Sequence, residues 1–208
     1  MPLALAGLVL AWAVMLLFGG MELDRALLLI FYAGANEEVA RAARLVTELG
    51  GLRVVGPAVA AGALLLLVRR EWRGALLLVA ITASGRLLAS LQKDWTARIR
   101  PEDHHHLVEA QSYAFPSGHA ANAALVWLSL ALILPRTAHG RAYAVWAAVW
   151  VALAVGASRV VLGVHWPSDV IAGWSFGLFW TLLLLRLSGR PLGDGTPRAA
   201  PPSLRRGE

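Results

Sequence analysis

The chain alternates between long apolar stretches and short polar connections. Six stretches are almost entirely hydrophobic and approach the length of a membrane crossing; they cover 3–20, 52–68, 74–91, 120–134, 142–157 and 170–187. The hydrocarbon core of a bilayer requires about 20 helical residues, with about 17 to 25 as the common range. The pattern therefore predicts six transmembrane helices. The fourth and fifth stretches are short, so these helices would need tilt or local thinning of the bilayer.

Between the first two stretches the pattern changes to that of an amphipathic helix. Asn36 can cap its start and Gly50-Gly51 can end it. Its polar side consists of Glu37, Arg41, Arg44 and Glu48, and its apolar side of Val39, Ala43, Val46 and Leu49. Such a helix is expected to lie at the membrane surface, in a surface region covering about 24–50. The apolar run 27–33 is too short to cross and is also predicted to be interfacial.

The composition favours a membrane protein over a soluble one. Of the 208 residues, 58% are hydrophobic and 15% are charged. Soluble domains carry about a quarter charged residues, so too few polar residues remain here to coat a soluble globule. We therefore predict an all-α, polytopic membrane protein with one transmembrane domain over 1–190 and a flexible cytoplasmic tail over 191–208. No Lys or Arg precedes Arg25, so the first stretch lacks the charged start of a signal peptide and is predicted to be a retained span.

The positions of the charges predict an orientation. The net charge is +6, which alone is compatible with nucleic-acid binding, but no nucleic-acid partner is expected in a polytopic membrane protein. Ten of the 19 Lys and Arg residues lie between the second and third stretches, between the fourth and fifth, or from Arg186 at the end of the sixth onward. By the positive-inside rule this side is cytoplasmic. Of the other nine, four lie in or just after the surface region, and most of the remaining five crowd into two loops on the opposite side. The sequence thus predicts a multi-pass protein of the cytoplasmic (inner) membrane whose polar chemistry faces the periplasm or exterior.

The two outer loops, about 92–119 and 158–169, contain a cluster of cations. They include Lys93, Arg98, Arg100 and Arg159. Clustered cations predict an anionic ligand, and guanidinium groups match the geometry of phosphate. Lys93 and Arg100 are seven residues apart, so both can face one point if the helix continues to Pro101. Taken singly, each cation could instead be an interfacial anchor that reaches toward lipid phosphates.

A four-residue string, Pro116-Ser117-Gly118-His119, opens the fourth stretch. The start of a helix offers free backbone N–H groups and the positive end of the helix dipole, which together favour an anion. Gly118 would let a phosphate approach the backbone closely, and the Ser117 hydroxyl adds a donor. An ordinary turn with a helix cap would look the same, so this string alone leaves both interpretations open.

His165 and Asp169 lie four residues apart where the sixth stretch begins. One helical turn places the carboxylate beside the imidazole. A carboxylate that fixes the tautomer of a histidine, which then presents its other nitrogen, is typical of nucleophilic sites. A helix-capping aspartate next to a surface histidine is the alternative.

Taken together, three strings resemble the three signatures of the type 2 phosphatidic acid phosphatase (PAP2) superfamily. They are Lys93-x6-Arg100-Pro101, Pro116-Ser117-Gly118-His119 and Ser158-Arg159-x5-His165-x3-Asp169. Their order and spacing match those of the signatures, and each motif position carries the residue that the signature requires. The chain is most similar to the bacterial membrane branch, which has six spans with the motifs at the outer ends of spans three to six. The motifs cover about 93–169, and the topology covers nearly the whole chain.

The resemblance implies a metal-independent lipid phosphatase that needs no cofactor. It implies that His165 attacks phosphorus to form a phosphohistidine, that Asp169 holds the ring, and that His119 protonates the leaving oxygen and then activates water. The phosphate would be held by what we call the phosphate cage: Lys93, Arg100, Ser117, the Gly118 backbone and Arg159. Arg98, where many members carry an extra arginine, and Arg86 are further candidates. Arg86 lies inside the third stretch, where a charge is costly and usually functional.

Several alternatives remain open at this point. The substrate could be undecaprenyl diphosphate, phosphatidic acid or phosphatidylglycerophosphate, and the oligomeric state is not predicted. The same machinery could serve a lipid phosphotransferase, and a non-catalytic lipid binder or flippase would need no nucleophile. A soluble haloperoxidase shares the pocket but not the six spans. His104-His105-His106 could suggest a metal site, but consecutive side chains rarely converge on one ion, so a loop lid with Glu102, Asp103 and Glu109 is favoured.

Overall fold

Helices form the regular structure of the chain. The computed structural model describes residues 2–19, 21–102 and 105–189. The helices are α1 (Pro2–Phe18), α2 (Glu22–Phe31), α3 (Glu37–Thr47), α4 (Leu52–Val68), α5 (Trp72–Thr96), α6 (Gly118–Ile133), α7 (Ala138–Val161) and α8 (Pro167–Leu187), and a 3-10 turn covers Glu48–Gly50. None of the described residues lies in a strand, which confirms the predicted all-α class.

The predicted apolar stretches coincide with α1, α4, α5, α6, α7 and α8. Four segments are long and apolar enough to cross a membrane; they are 37–68, 72–96, 138–161 and 167–187. The pair α1 and α2, separated by a sharp bend, adds a fifth if it counts as one crossing. The expected shortness of the fifth stretch is not observed, because α7 extends it at both ends to 24 residues. The chain is a helical membrane protein.

The shortest of the apolar helices in the bundle, α6, lies at its centre. Eleven of its 16 residues are buried, and it packs against α5, α7 and α8. Because neighbouring helices rather than lipid cover most of α6, its length need not match the thickness of the hydrocarbon core. Its burial on nearly all sides also explains why it shows no amphipathic pattern in the sequence.

Two glycines of α8 allow a close approach to the beginning of α6. A Cβ atom at Gly173 would lie 2.6 Å from the carbonyl oxygen of Ser117, and one at Gly177 would lie 2.8 Å from that of Ala121. Small residues spaced by four positions are a common way to bring membrane helices together. The contact brings two predicted site residues together, because the Ser117 N–H donates to the carbonyl oxygen of Asp169 at 2.9 Å.

The region before α4 differs in detail from its predicted form. Asn36 caps α3 as expected, its side chain accepting from the Val39 N–H at 3.1 Å. The α-helix ends at Thr47, however, and continues as a 3-10 turn rather than as one helix to Gly50. The buried side of α3 is Ala40, Ala43 and Thr47, whereas Val39 is 43% exposed. These small residues of α3 pack against α7. Ala43 belongs to the predicted apolar side, and the position of this helix at the membrane surface stays a prediction.

Some predictions concern residues outside the described ranges. The predicted tail, 191–208, lies beyond residue 189, where the description ends, and Asp103 and His104 of the predicted lid lie in the gap after 102. The neighbouring segment 105–107 is held in place: the Tyr32 hydroxyl donates to the carbonyl oxygen of His105 at 2.7 Å, and Arg44 Nε donates to that of Leu107 at 3.0 Å.

Candidate active site

The candidate site lies at one end of the bundle, where four helix termini meet. Helices α5 and α7 end there, and α6 and α8 begin there. The loop after α5 and the 3-10 turn before α4 close around these termini. Because the predicted site residues sit at these termini and in these loops, folding brings together side chains that are up to 76 positions apart in the sequence, from Lys93 to Asp169.

His165 and Asp169 form a buried pair. His165 Nδ1 lies 3.4 Å from Asp169 Oδ2, and the two side chains are almost completely buried. A carboxylate can only accept, so Nδ1 carries the proton and the lone pair is on Nε2. Burial lowers the pKa of His165 well below its usual value, and the positive charges of Arg100 and Arg159 add to the effect. The ring is therefore neutral at pH 7, with Nε2 unprotonated.

Asp169 has a second, structural role. Its Oδ2 also accepts from the backbone N–H of Trp166 at 3.0 Å, which ties the carboxylate to the start of α8. The two interpretations of the sequence are thus compatible at this position, because the same carboxylate orients a histidine and caps a helix. The histidine, however, is not on the surface, as it would be next to a purely capping aspartate.

Arg100 contacts the other nitrogen of His165. Its Nη1 lies 3.1 Å from His165 Nε2 and donates to the carbonyl oxygen of Val164 at 2.5 Å. Its Nε donates to the carbonyl oxygen of Ser112 at 2.7 Å. Burial lowers the pKa of Arg100, and the charge of Asp169 opposes that shift. A guanidinium next to the free nitrogen is well placed to bind an oxygen of a group that reacts there.

Arg100 reaches this position by a route that the sequence did not predict. A common orientation by helical spacing requires the helix of Lys93 to continue for two turns to Arg100, but α5 ends at Thr96. Ala97 has a left-handed conformation with φ 45°, and its N–H donates to the Lys93 carbonyl oxygen. The chain therefore turns out of the helix before Arg100, which lies in the following loop. Lys93 Nζ meanwhile donates to the carbonyl oxygen of Tyr113 at 2.7 Å.

Two buried donors in the phosphate cage have no hydrogen-bond partner. Among the described residues, these are Ser117 Oγ and Arg159 Nε, although Arg159 Nη1 does donate to Thr47 Oγ1 at 2.9 Å. Buried polar groups without partners are costly, and each needs an explanation. An anion bound between them would satisfy both. Gly118 lies next to Lys93, since a Cβ atom at Gly118 would be 3.5 Å from Lys93 Cε.

His119 faces a cavity of about 710 Å³ that Lys93 and Gly118 also line. The 3-10 turn before α4 packs closely against it: a Cβ atom at Gly50 would lie 2.7 Å from the His119 carbonyl oxygen, and one at Gly51 would lie 3.6 Å from its Nε2. The structure thus places His119, the cations and the buried His165 around the same end of the bundle.

Sequence reasoning missed the residues that hold the 3-10 turn against the site. Asn122 Nδ2 donates to the carbonyl oxygen of Gly50 at 3.3 Å, and Trp127 Nε1 donates to that of Leu49 at 2.9 Å. Thr47, directly before the turn, contacts Arg159. No motif marks these positions. One signal was available: Asn122 is an amide within an otherwise apolar stretch, one helical turn after His119.

The two further candidates, Arg98 and Arg86, lie in different places. Arg98 Nη1 donates to Asp169 Oδ1 at 3.0 Å, and its Nη2 donates to the carbonyl oxygen of Leu16 at 2.7 Å. Its guanidinium also stacks over the Phe115 ring at 4.3 Å. Arg98 is therefore engaged in holding Asp169 and the end of α1 rather than in facing the cavity. Arg86, in contrast, lines the same cavity as Lys93 and His119.

Among the histidines of the predicted lid, His106 has a clear partner. Its Nε2 lies 2.7 Å from the carbonyl oxygen of Pro101. The carbonyl oxygen of His105 accepts from Tyr32, as described above, which leaves both residues tied into the loop.

Comparison with known proteins supports the resemblance to the PAP2 superfamily. The model of the PAP2 superfamily matches residues 74–191. Phosphatidylglycerophosphatase B of Bacillus subtilis is 37% identical over 145 residues, which is 67% of this chain and 70% of that protein. Lipid A 1-phosphatase of Rhizobium johnstonii is 38% identical over 123 residues, which is 54% of this chain and 47% of that protein.

The fold is similar to that of a solved structure over most of the chain. It is the crystal structure of a transmembrane PAP2 type phosphatidylglycerolphosphate phosphatase from Bacillus subtilis. The TM-score is 0.81 at 28% sequence identity, and the match covers 89% of this chain and 96% of that chain.

Proposed function

The chain belongs to the PAP2 superfamily, and from this premise we propose that it is a metal-independent lipid phosphatase that works through a phosphohistidine. It is a PAP2-type phosphatase, and its substrates are proposed to be membrane lipids with a phosphate or diphosphate group. The observation that carries the proposal is the combination of a buried, neutral His165 with two unsatisfied donors, on Ser117 and Arg159, beside further cations.

In the first step, the lone pair on His165 Nε2 attacks phosphorus. The bond from phosphorus to the lipid oxygen breaks, and His119, which is protonated in the complex with the anionic substrate, gives its proton to that oxygen. Arg100 now donates to Nε2, so an entering phosphate oxygen would take over this hydrogen bond as the nitrogen reacts. Asp169 stabilises the positive charge that develops on the ring. Because phosphoryl transfer depends mainly on positioning and charge stabilisation, the phosphate cage supplies much of the rate.

In the second step, water replaces the histidine. His119, now neutral, takes a proton from the water as its oxygen attacks phosphorus, and the phosphorus–nitrogen bond breaks. Inorganic phosphate leaves and His165 is neutral again. Water as the sole acceptor makes this a hydrolase rather than a phosphotransferase, and candidate substrates are phosphatidylglycerophosphate, phosphatidic acid and undecaprenyl diphosphate.

We expect the purified protein in detergent to release phosphate from at least one of these lipids at an undiminished rate in excess EDTA. The cations of the phosphate cage, which include Lys93, Arg100 and Arg159, supply the charge that a metal would otherwise provide. Colorimetric phosphate release with water as the only acceptor measures this, and heat-denatured protein is the control. Loss of activity in EDTA, restored by magnesium, would contradict the proposal, as would phosphate release that requires a sugar acceptor.

We also propose a topology of six spans, α1, α4, α5, α6, α7 and α8, with α2 and α3 at the outer surface and residues 1–190 as one domain. The candidate site would then face the exterior of the cytoplasmic membrane. Support comes from the opposite end of the bundle, where Arg69 donates to the Leu134 carbonyl oxygen and Arg136 pairs with Glu71 at 3.2 Å. Positive residues at that end suit the cytoplasmic side.

Single cysteines can test this topology, because the chain contains no cysteine. We expect a membrane-impermeant maleimide to label Gln111→Cys in intact cells, and to label His139→Cys only after lysis. Gln111 lies in the loop at the site end, and His139 is exposed near the beginning of α7 at the other end. The reverse labelling pattern would contradict the proposed orientation, and labelling of both positions before lysis in sealed cells would contradict the span count.

A further inference from the structure

The cavity at the candidate site extends well beyond the phosphate cage. Its wall along α5 is formed by residues at helical spacing: Ala83, Arg86, Leu87, Ser90 and Lys93. Arg86 and Lys93 are two turns apart on this face, which is about 10 Å along the helix axis. Lys93 and Gly118 of the phosphate cage line one end of this longer space, and Arg86 adds a positive charge farther along it.

Arg86 has no protein partner in the described part of the chain. None of the described residues makes a hydrogen bond or an ion pair with its guanidinium, whereas Arg98, Arg100 and Arg159 are all engaged. Arg86 lies ten residues before the end of α5, so its Cα is about 15 Å from the site end of that helix. A charge at such depth is costly unless something pairs with it.

The geometry points to a ligand group as that partner. We propose that Arg86 forms a second anion subsite, which binds the phosphodiester of a lipid whose terminal phosphomonoester is hydrolysed in the cage. This inference rests on the proposed function. A guanidinium matches the oxygens of a phosphodiester, and the flanking Ala83 and Leu87 suit the apolar part of a lipid that continues along the cavity.

The distance between Lys93 and Arg86 along α5 favours one of the candidate substrates. In phosphatidylglycerophosphate, six covalent bonds join the two phosphorus atoms through glycerol, so the second phosphate can lie well away from the first. In a diphosphate lipid only two bonds join them, and both phosphates would have to stay near the cage. Phosphatidic acid has no second phosphate. The distance between Lys93 and Arg86 suits the first of these lipids, which makes Arg86 a determinant of specificity.

The test compares kcat/KM for three lipids in mixed micelles of fixed composition: phosphatidylglycerophosphate, phosphatidic acid and undecaprenyl diphosphate. For Arg86→Gln, we expect the ratio of kcat/KM for phosphatidylglycerophosphate over phosphatidic acid to fall by about tenfold or more, mainly through KM. The ratio for undecaprenyl diphosphate over phosphatidic acid should change by less than about twofold. Arg73→Gln is the matched control on the same helix; Arg73 is exposed, stacks on Trp72 and lies outside the cavity.

The possible failures can be told apart. If Arg86→Gln is normally active and its ratio of kcat/KM for phosphatidylglycerophosphate over phosphatidic acid is unchanged, the subsite is refuted. The proposed function then remains intact. An equal fall for the diphosphate lipid would overturn the spacing argument. If wild-type protein releases no phosphate from any of the lipids, the proposed function and this inference both fail. Should Arg86→Gln not fold, Arg86→Ala and Arg86→Met serve the same comparison, and a ratio equal to that of wild type refutes the subsite.

Discussion

We expect phosphate release to fall by at least about 10⁴-fold when His165 is replaced with glutamine. A covalent route through His165 Nε2 has no substitute, because Arg100 and the other cations nearby carry no free lone pair. Glutamine is suitable since its amide can still accept from Arg100 while it cannot form a stable bond to phosphorus. Asp169 keeps its other partners, the Trp166 N–H and Arg98, so the variant should retain the fold. Initial rates of phosphate release from a lipid substrate measure the effect.

A matched control distinguishes loss of the nucleophile from loss of the folded structure. His139→Gln changes an exposed histidine far from the site and should have normal activity. Thermal unfolding followed by circular dichroism should give similar Tm values for both variants and the wild type. If folded His165→Gln retains activity within about tenfold of wild type, the nucleophile has been assigned wrongly. If it unfolds, His165→Asn provides the second attempt.

The sequence predicted which polar residues the fold brings together better than it predicted the contacts around them, because the two depend on different information. The positions of the helices follow from apolar runs, a local property, and the motif strings carry the chemistry of His119, His165 and Asp169. The match of the PAP2 model over 74–191 confirms the resemblance on which their roles were inferred. The roles themselves stay predictions until variants are measured.

The surroundings depend on tertiary contacts that no local pattern encodes. The bond from Arg159 to Thr47 joins residues 112 positions apart, and the bond from Asn122 to Gly50 joins residues 72 positions apart. The turn at Ala97 was missed for a related reason: a non-glycine residue with φ 45° follows from the packing of the loop and not from its own preference. Arg98 shows the same limit, since only the structure reveals that its donors serve Asp169 and α1.

The second large effect concerns His119. With a lipid phosphomonoester, we expect His119→Gln to lower the steady-state rate by about 10²- to 10⁴-fold, because the departing alkoxide and the attacking water both lose their proton-transfer partner. With p-nitrophenyl phosphate the first step should survive, since a nitrophenolate leaves without a proton. The variant should then release about one nitrophenolate per active site in a rapid burst and stall as an acid-labile phosphoprotein. Rapid-quench kinetics measures the burst of nitrophenolate. Loss of protein-bound phosphate in acid identifies the phosphoprotein.

The burst is the diagnostic part of this prediction, because it separates two roles that a slow variant alone would not. If His119 only helped to bind phosphate, both substrates would slow in parallel and no phosphoenzyme would accumulate. If His165 were not the nucleophile, protein-bound phosphate would still accumulate in the double variant His119→Gln/His165→Gln. His139→Gln again supplies the control and should show no burst beyond that of wild type. A burst that appears in His119→Gln and disappears with His165 would connect the two imidazoles to successive steps of one reaction.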